Sequence, residues 1–113
     1  MFPGRFHLSV EQLGTTLSLR LLGEFDLAAV GRVENALDRI FQAPTTRQVI
    51  FDLRRLTFLD AAGLGTILKA DQRARARSFD LVVVRPRGHA NRIFTLTRAG
   101  KELSMVDEPG VVA

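Results

Sequence analysis

Two aspartates, each followed by a run of small or apolar residues, are the first candidates for chemistry in this chain. Asp26 closes the stretch Gly23-Glu24-Phe25-Asp26, and Asp60 opens Asp60-Ala61-Ala62-Gly63-Leu64-Gly65. Two carboxylates at one rim can divide the work of a general acid and a general base. They can also cap helices, each accepting backbone N–H groups of a first turn. Capping accounts for both without catalysis, and no pocket-forming insertion accompanies them. Ala61, Ala62 and Gly63 put almost no side chain over the helix entrance that Asp60 would cap. Outward N–H groups and the positive end of the helix dipole favour anions there. Leu64 and the alanine-glycine turn add a small apolar patch on a rigid rim.

The remaining reactive groups are sparse. The chain has no cysteine, which excludes disulfides and thiolate metal sites. His7 and His89 are its two histidines; they are far apart in sequence, lack metal-ligand spacing, and read as surface residues. No serine lies in a nucleophile elbow, and no glycine-rich loop ends in Gly-Lys-Ser or Gly-Lys-Thr. The expectation is a protein that is not an enzyme and needs no metal or cofactor.

Arginine dominates the cations. The net charge is +4 with only Lys69 and Lys101 as lysines, so a pI near 11.0 overstates how basic the surface is. Arg73, Arg75 and Arg77 suit a helix C-terminus and read as a solvated face. Arg85, Arg87, Arg92 and Arg98 could extend them toward an acidic partner. Nucleic-acid binding is not expected, because no Trp or Tyr offers a stacking platform.

The elements that would position the aspartates follow from periodicity. Phe6, Leu8 and Val10 alternate with His7 and Ser9 as a strand, and Leu17, Leu19 and Leu21 alternate with Ser18 and Arg20 as its hairpin partner. Leu27, Val30, Val33, Leu37, Ile40 and Phe41 form one stripe of an amphipathic helix behind Asp26. Gln48–Leu53 is an apolar run suited to a buried strand. A helix from about Ala62 to Arg77 follows Asp60, with Leu64, Ile67, Leu68 and Ala74 inward. Asp80–Val84 is another buried strand. A short helix carries Ala90, Ile93, Phe94 and Leu96, and Leu103–Asp107 is a last short strand. This order predicts an α/β fold, with a mixed, mostly parallel sheet of about five strands. Three helices are few for two faces, so most should lie on one. The rim at the carboxyl ends of the parallel strands, where Asp26 and Asp60 fall, is where such sheets receive ligands and partners.

At 113 residues the chain suits a single domain over 1–113. No apolar signal core opens it, and no stretch is long enough to span a bilayer. A cytoplasmic protein without membrane insertion is expected.

Three segments, "LLGEFDLAAVGRVENAL", "VIFDLRRLTFLDAAGLGTIL" and "LVVVRPRGHANRIFTLT", resemble the landmarks of the STAS domain, and are most similar to the bacterial anti-sigma-factor antagonists. The resemblance runs from about Leu17 to Val106. It implies binding rather than catalysis. Such antagonists sequester a serine-kinase-type anti-sigma factor and so free a sigma factor. The family's second residue after the aspartate of this turn is typically a serine that the kinase phosphorylates to break the complex. Here that position is Ala62, preceded by Ala61, so neither accepts a phosphate. The implied partner surface is Asp26, Asp60, Ala61, Ala62, Gly63, Leu64 and Gly65, with the exposed face of the following helix. Thr57, read as a loop hydroxyl, and Thr66, read as a partly covered helix residue, are the nearby hydroxyls. Two other roles compete. An accessory subunit docked on the ATPase of an ABC transporter needs no serine switch. A small-ligand or nucleotide sensor would use the helix entrance directly.

Overall fold

Alternating Phe6, Leu17, Leu19 and Leu21 pull the first two strands onto a common core, and the computed structural model, which describes residues 5–109, shows that hairpin. Residues 1–4 and 110–113 of the expected domain, including the first residues read for a leader, lie outside the described residues. Strand β1 is Phe6–Leu13 and β2 is Thr16–Phe25, paired antiparallel with Leu8 opposite Leu21. Val10, expected inward, is exposed toward the hairpin tip. Gly23 ends the useful pairing with Phe6. Its φ is +90° and a Cβ there would collide with the Arg5 carbonyl, so the position is left to glycine.

A 3-10 turn, Leu27–Ala29, leads into helix α1, Val30–Gln42. Leu27 therefore leaves the expected inner stripe and is 73% exposed, whereas Val33, Leu37, Ile40 and Phe41 are buried. Each such fully buried side chain contributes about 1.5–3 kcal/mol relative to exposure. Strand β3 spans Gln48–Leu59, well past the expected end at Leu53. Helix α2 follows as Ala61–Ala76, and strand β4 as Asp80–Val84. The expected last helix is divided into a 3-10 turn, Gly88–Asn91, and two short helices, α3 at Arg92–Leu96 and α4 at Ala99–Glu102. Leu96, expected in its apolar set, is exposed. Strand β5 is Ser104–Val106.

The sheet has the order β1-β2-β3-β4-β5, with every pair after the first parallel. This is the mixed five-stranded α/β arrangement expected. Leu17, Leu19 and Leu21 of β2, Val49, Phe51 and Leu53 of β3, and Leu81 and Val83 of β4 share the core with α1 and α2. The alternate residues, among them Ser18, Arg20, Ile50, Asp52, Val82 and Val84, point to the opposite face. Two irregularities interrupt β3 against β2: Arg20 pairs with Asp52 but Leu22 with Arg55, and Gly23 pairs with Leu56 but Glu24 with Phe58. In each place β3 carries an extra residue, Arg54 and Thr57, as in a bulge. Among the described residues no helix is long and apolar enough to cross a membrane.

Candidate functional site

The parallel register of β2 and β3 ends with Phe25 beside Leu59, so the next residues, Asp26 and Asp60, emerge together at the carboxyl rim. The Asp60 N–H donates to the Phe25 carbonyl at 3.4 Å across that rim. Each carboxylate turns back onto its own chain. Asp26 Oδ1 accepts from the Ala28 N–H at 3.0 Å, and Asp60 Oδ1 accepts from the Gly63 N–H at 2.9 Å. Both residues have extended backbone, as an N-cap requires. Each carboxylate already holds a backbone donor, which fits capping better than proton transfer. By helix geometry the N–H groups of Ala61 and Ala62 have no intrahelical acceptor. Among the described residues no three His, Asp or Glu side chains converge to hold a metal ion.

The six-residue turn divides between two tasks. Asp60, Ala62 and Gly65 are half-buried and Ala61 is exposed, whereas Gly63 and Leu64 are buried. A Cβ on Gly63 would lie 2.7 Å from Leu59 Cδ1 and 2.8 Å from the Phe25 carbonyl oxygen. Gly63 is thus the close contact between α2 and the strand ends. Leu64 is 7% exposed and belongs to the core. The expected apolar patch is corrected accordingly, since Leu64 is not part of it. The exposed apolar side chains bordering the rim are Leu27, directly after Asp26, and Phe58, two residues before Asp60 and 44% exposed. The sequence pattern hid Leu27 because its spacing matched the stripe of α1.

The two flanking hydroxyls also separate. Thr66 is 4% exposed and its Oγ1 donates to the Ala62 carbonyl at 3.0 Å, so it is buried rather than partly covered. Thr57 sits in strand β3 rather than a loop. It is exposed, and its Oγ1 donates to the Gly23 carbonyl at 3.2 Å.

The arginines of α2 are engaged within the chain. Arg73 pairs with Asp38 at 2.9 Å and lies over the Phe41 ring, 4.7 Å from its centroid, which Arg77 also approaches. Arg75 pairs with Asp71 at 2.9 Å and donates to the Glu102 carbonyl. His7 and His89 are both exposed. Arg87, expected to extend the arginines of α2, instead joins Arg20, Arg54 and Arg55, which the sequence pattern does not group, around the buried Asp52 on the face of the sheet away from α1 and α2. Only strand register, with its extra residue at Arg54, brings them together. Burial pushes the Asp52 carboxyl up, but the hydrogen bonds from Arg54 and the charges of Arg54 and Arg20 outweigh it and hold Asp52 below the usual carboxylate value. The hydrogen bond to Asp52 in turn raises Arg54.

The class this arrangement defines is an α/β domain with a mixed sheet, a capped helix entrance at the carboxyl rim, and helices layered on the core. The chain belongs to the STAS domain family, which its residues 7–109 match. Its fold is similar to an anti-sigma factor antagonist from Mycobacterium paratuberculosis, at 21% identity over 97% of this chain and 92% of that one, with a TM-score of 0.86. It is also similar to a putative anti-sigma factor antagonist from Thermotoga maritima, at 13% identity over 92% of this chain and 89% of that one, with a TM-score of 0.83. The phosphorylated form of the Bacillus cell fate determinant SpoIIAA matches at 20% identity over 94% and 96% of the two chains, with a TM-score of 0.72.

Proposed function

We propose that this chain is an anti-sigma-factor antagonist that docks a serine-kinase-type anti-sigma factor on its carboxyl rim and lacks the family's phosphoserine switch. The observation that carries the reading is the outward surface of the turn: Ala61 exposed and Ala62 half-buried, beside the capped Asp60 and Asp26, with no hydroxyl at the switch position. The docking surface comprises Asp26, Asp60, Ala61, Ala62 and Gly65, bordered by Leu27 and Phe58. Gly63 and Leu64 support it from beneath. A partner can approach this rim closely because only methyl groups and backbone stand over the helix entrance. A phosphate at position 62 would bring about two negative charges beside Asp60 and Asp26, and their desolvation would oppose docking. With alanine there, binding is constitutive with respect to that modification. The role is binding, in the cytoplasm, without a cofactor.

The test is a titration of the purified protein with a kinase-type anti-sigma factor from the same cell, in the presence of ATP. Complex formation that survives prolonged incubation with ATP supports the reading. Absence of binding, together with recovery of ABC-transporter subunits in a pull-down from the native cytoplasm, would replace it with the transporter-accessory role.

A further inference from the structure

The open face of the sheet carries a second polar site that the docking rim does not use. A cavity of about 490 Å³ is lined by Arg20, Leu22, Asp52, Arg54, Arg55 and Arg87. A neighbouring hollow shares Arg54, Arg55 and Arg87 and adds His89. We propose that this cavity binds a small phosphate-bearing polyanion, and that the Glu108 carboxylate occupies part of the site until the ligand displaces it.

The extra residue in β3 builds the site. Arg54 stands where β3 has one more residue than β2, so its N–H is free to donate to Asp52 Oδ1, at 3.2 Å. The same displacement lays its guanidinium across that carboxylate, with Nε 3.0 Å from Oδ1 and Nη2 2.9 Å from Oδ2. Asp52, 3% exposed, is thus a fixed floor, and Arg20 Nε approaches it at 3.6 Å from the next strand. The 3-10 turn Gly88–Asn91 packs against β3 and delivers Arg87 to the opposite wall.

The charges do not balance. Four guanidinium groups and one carboxylate, that of Asp52, line the cavity, and the Glu108 carboxylate pairs with two of the four, Arg54 and Arg87. Arg55 forms no ion pair among the described residues. Gathering like charges is unfavourable unless an anion completes the set. Glu108 does so only in part. Its Oε2 is 3.2 Å from Arg54 Nη1 and its Oε1 is 3.5 Å from Arg87 Nη2. One carboxylate bridging two guanidinium forks mimics how two phosphate oxygens are held. Its side chain is 56% exposed and follows the last strand, so it can swing away. The size of the cavity fits a small molecule, and the excess of cations favours a ligand with two or more negative charges over a monovalent anion.

The test uses the full chain alone, without any anti-sigma factor, so its outcome is independent of the docking rim. Pyrophosphate is titrated at low salt while amide and arginine Nε–H resonances are followed, with orthophosphate, chloride and a nucleoside diphosphate in parallel. Saturable pyrophosphate binding is expected, about tenfold tighter than orthophosphate, with shifts centred on Arg20, Arg54, Arg55 and Arg87. Nucleoside diphosphate binding equal to pyrophosphate assigns recognition to the phosphates alone, and tighter binding makes a nucleotide the ligand; binding weaker than orthophosphate overturns the proposal. Arg55→Ala and Arg87→Ala, both at exposed positions, should each weaken pyrophosphate about fivefold to tenfold, and Glu108→Gln should tighten it about threefold. No saturable binding, binding indifferent to the arginine substitutions, or Glu108→Gln binding no tighter than the parent overturns it.

Discussion

Two aspartates of the same strand-and-turn segment anchor opposite designs. Asp60 follows β3 with its carboxylate turned onto a backbone N–H, and Ala61 and Ala62 put only methyl groups over the helix entrance beside it. Asp52, in the middle of β3, is buried beneath a ring of arginines. The rim presents small side chains and two capped carboxylates, a surface that suits the proposed protein partner better than a small anion. Around Asp52 the open face offers positive charge in excess. On the two proposals one strand would serve two kinds of recognition, its two extra residues, Arg54 and Thr57, shifting its register against β2.

Substitutions that separate inward from outward roles at the rim should break this comparison most visibly. Gly63→Val should destabilise the fold by about 3 kcal/mol or more, since its side chain must enter space held by Leu59 and the Phe25 backbone. Urea unfolding reads that loss. Ala62→Glu should leave the unfolding midpoint nearly unchanged and weaken anti-sigma-factor binding on the order of tenfold to a hundredfold, by placing an acid beside Asp60. If the two substitutions behaved alike in both assays, the division of the turn into supporting and docking residues would be wrong.

The open face is sharpened by pH. Asp52→Asn should destabilise by about 1.5–3 kcal/mol at neutral pH, by removing the charge-assisted bonds to Arg54. The folded-state value of Asp52 is lowered, so its contribution is fully present above the unfolded value, about 3.9, and is lost as pH falls through the lower folded value. The difference between parent and Asp52→Asn should therefore shrink below about pH 4. A difference that grew on acidification would contradict the ion-pair geometry. Asp60→Ala, in contrast, removes a helix cap and should cost about 1 kcal/mol.

The smallest effect concerns neither region. Ser78, two residues past the end of α2, has a φ of +60°, where the Phe79 N–H donates to the Ala74 carbonyl and the Ser78 N–H to the Arg75 carbonyl. This is the closing pattern in which glycine is preferred. Ser78→Gly should raise stability by somewhat under about 1 kcal/mol, with no change in binding at the rim.

Much of this architecture was legible in the chain. Alternation marked β1 and β2, a helical stripe marked α1, and the Asp60 turn located the entrance of α2. The errors have local physical causes. Leu27 matched the helical spacing, yet the cap at Asp26 starts a 3-10 turn that leaves it in solvent. Strand β3 looked finished at Leu53, because Arg54 and Arg55 break the apolar run; pairing with β2 carries it on to Leu59 regardless. Leu64 fits two readings, the inner stripe of α2 and the apolar patch of the turn; α2 begins at Ala61, and its period turns Leu64 inward, so only the first holds. The arginine cavity was not legible at all. Its members come from β2, β3 and the loop after β4, and only a register with an extra residue unites them.

The central claim is that the rim is a docking face that kinase action at position 62 cannot release. The most direct measurement is calorimetric titration of the parent, Ala62→Ser and Ala62→Glu with the same kinase-type anti-sigma factor, before and after incubation with ATP. The account predicts that the parent binds equally in both conditions, that Ala62→Ser loses affinity only after ATP, and that Ala62→Glu is weak throughout. Parent-like affinity for Ala62→Glu in both conditions would contradict it.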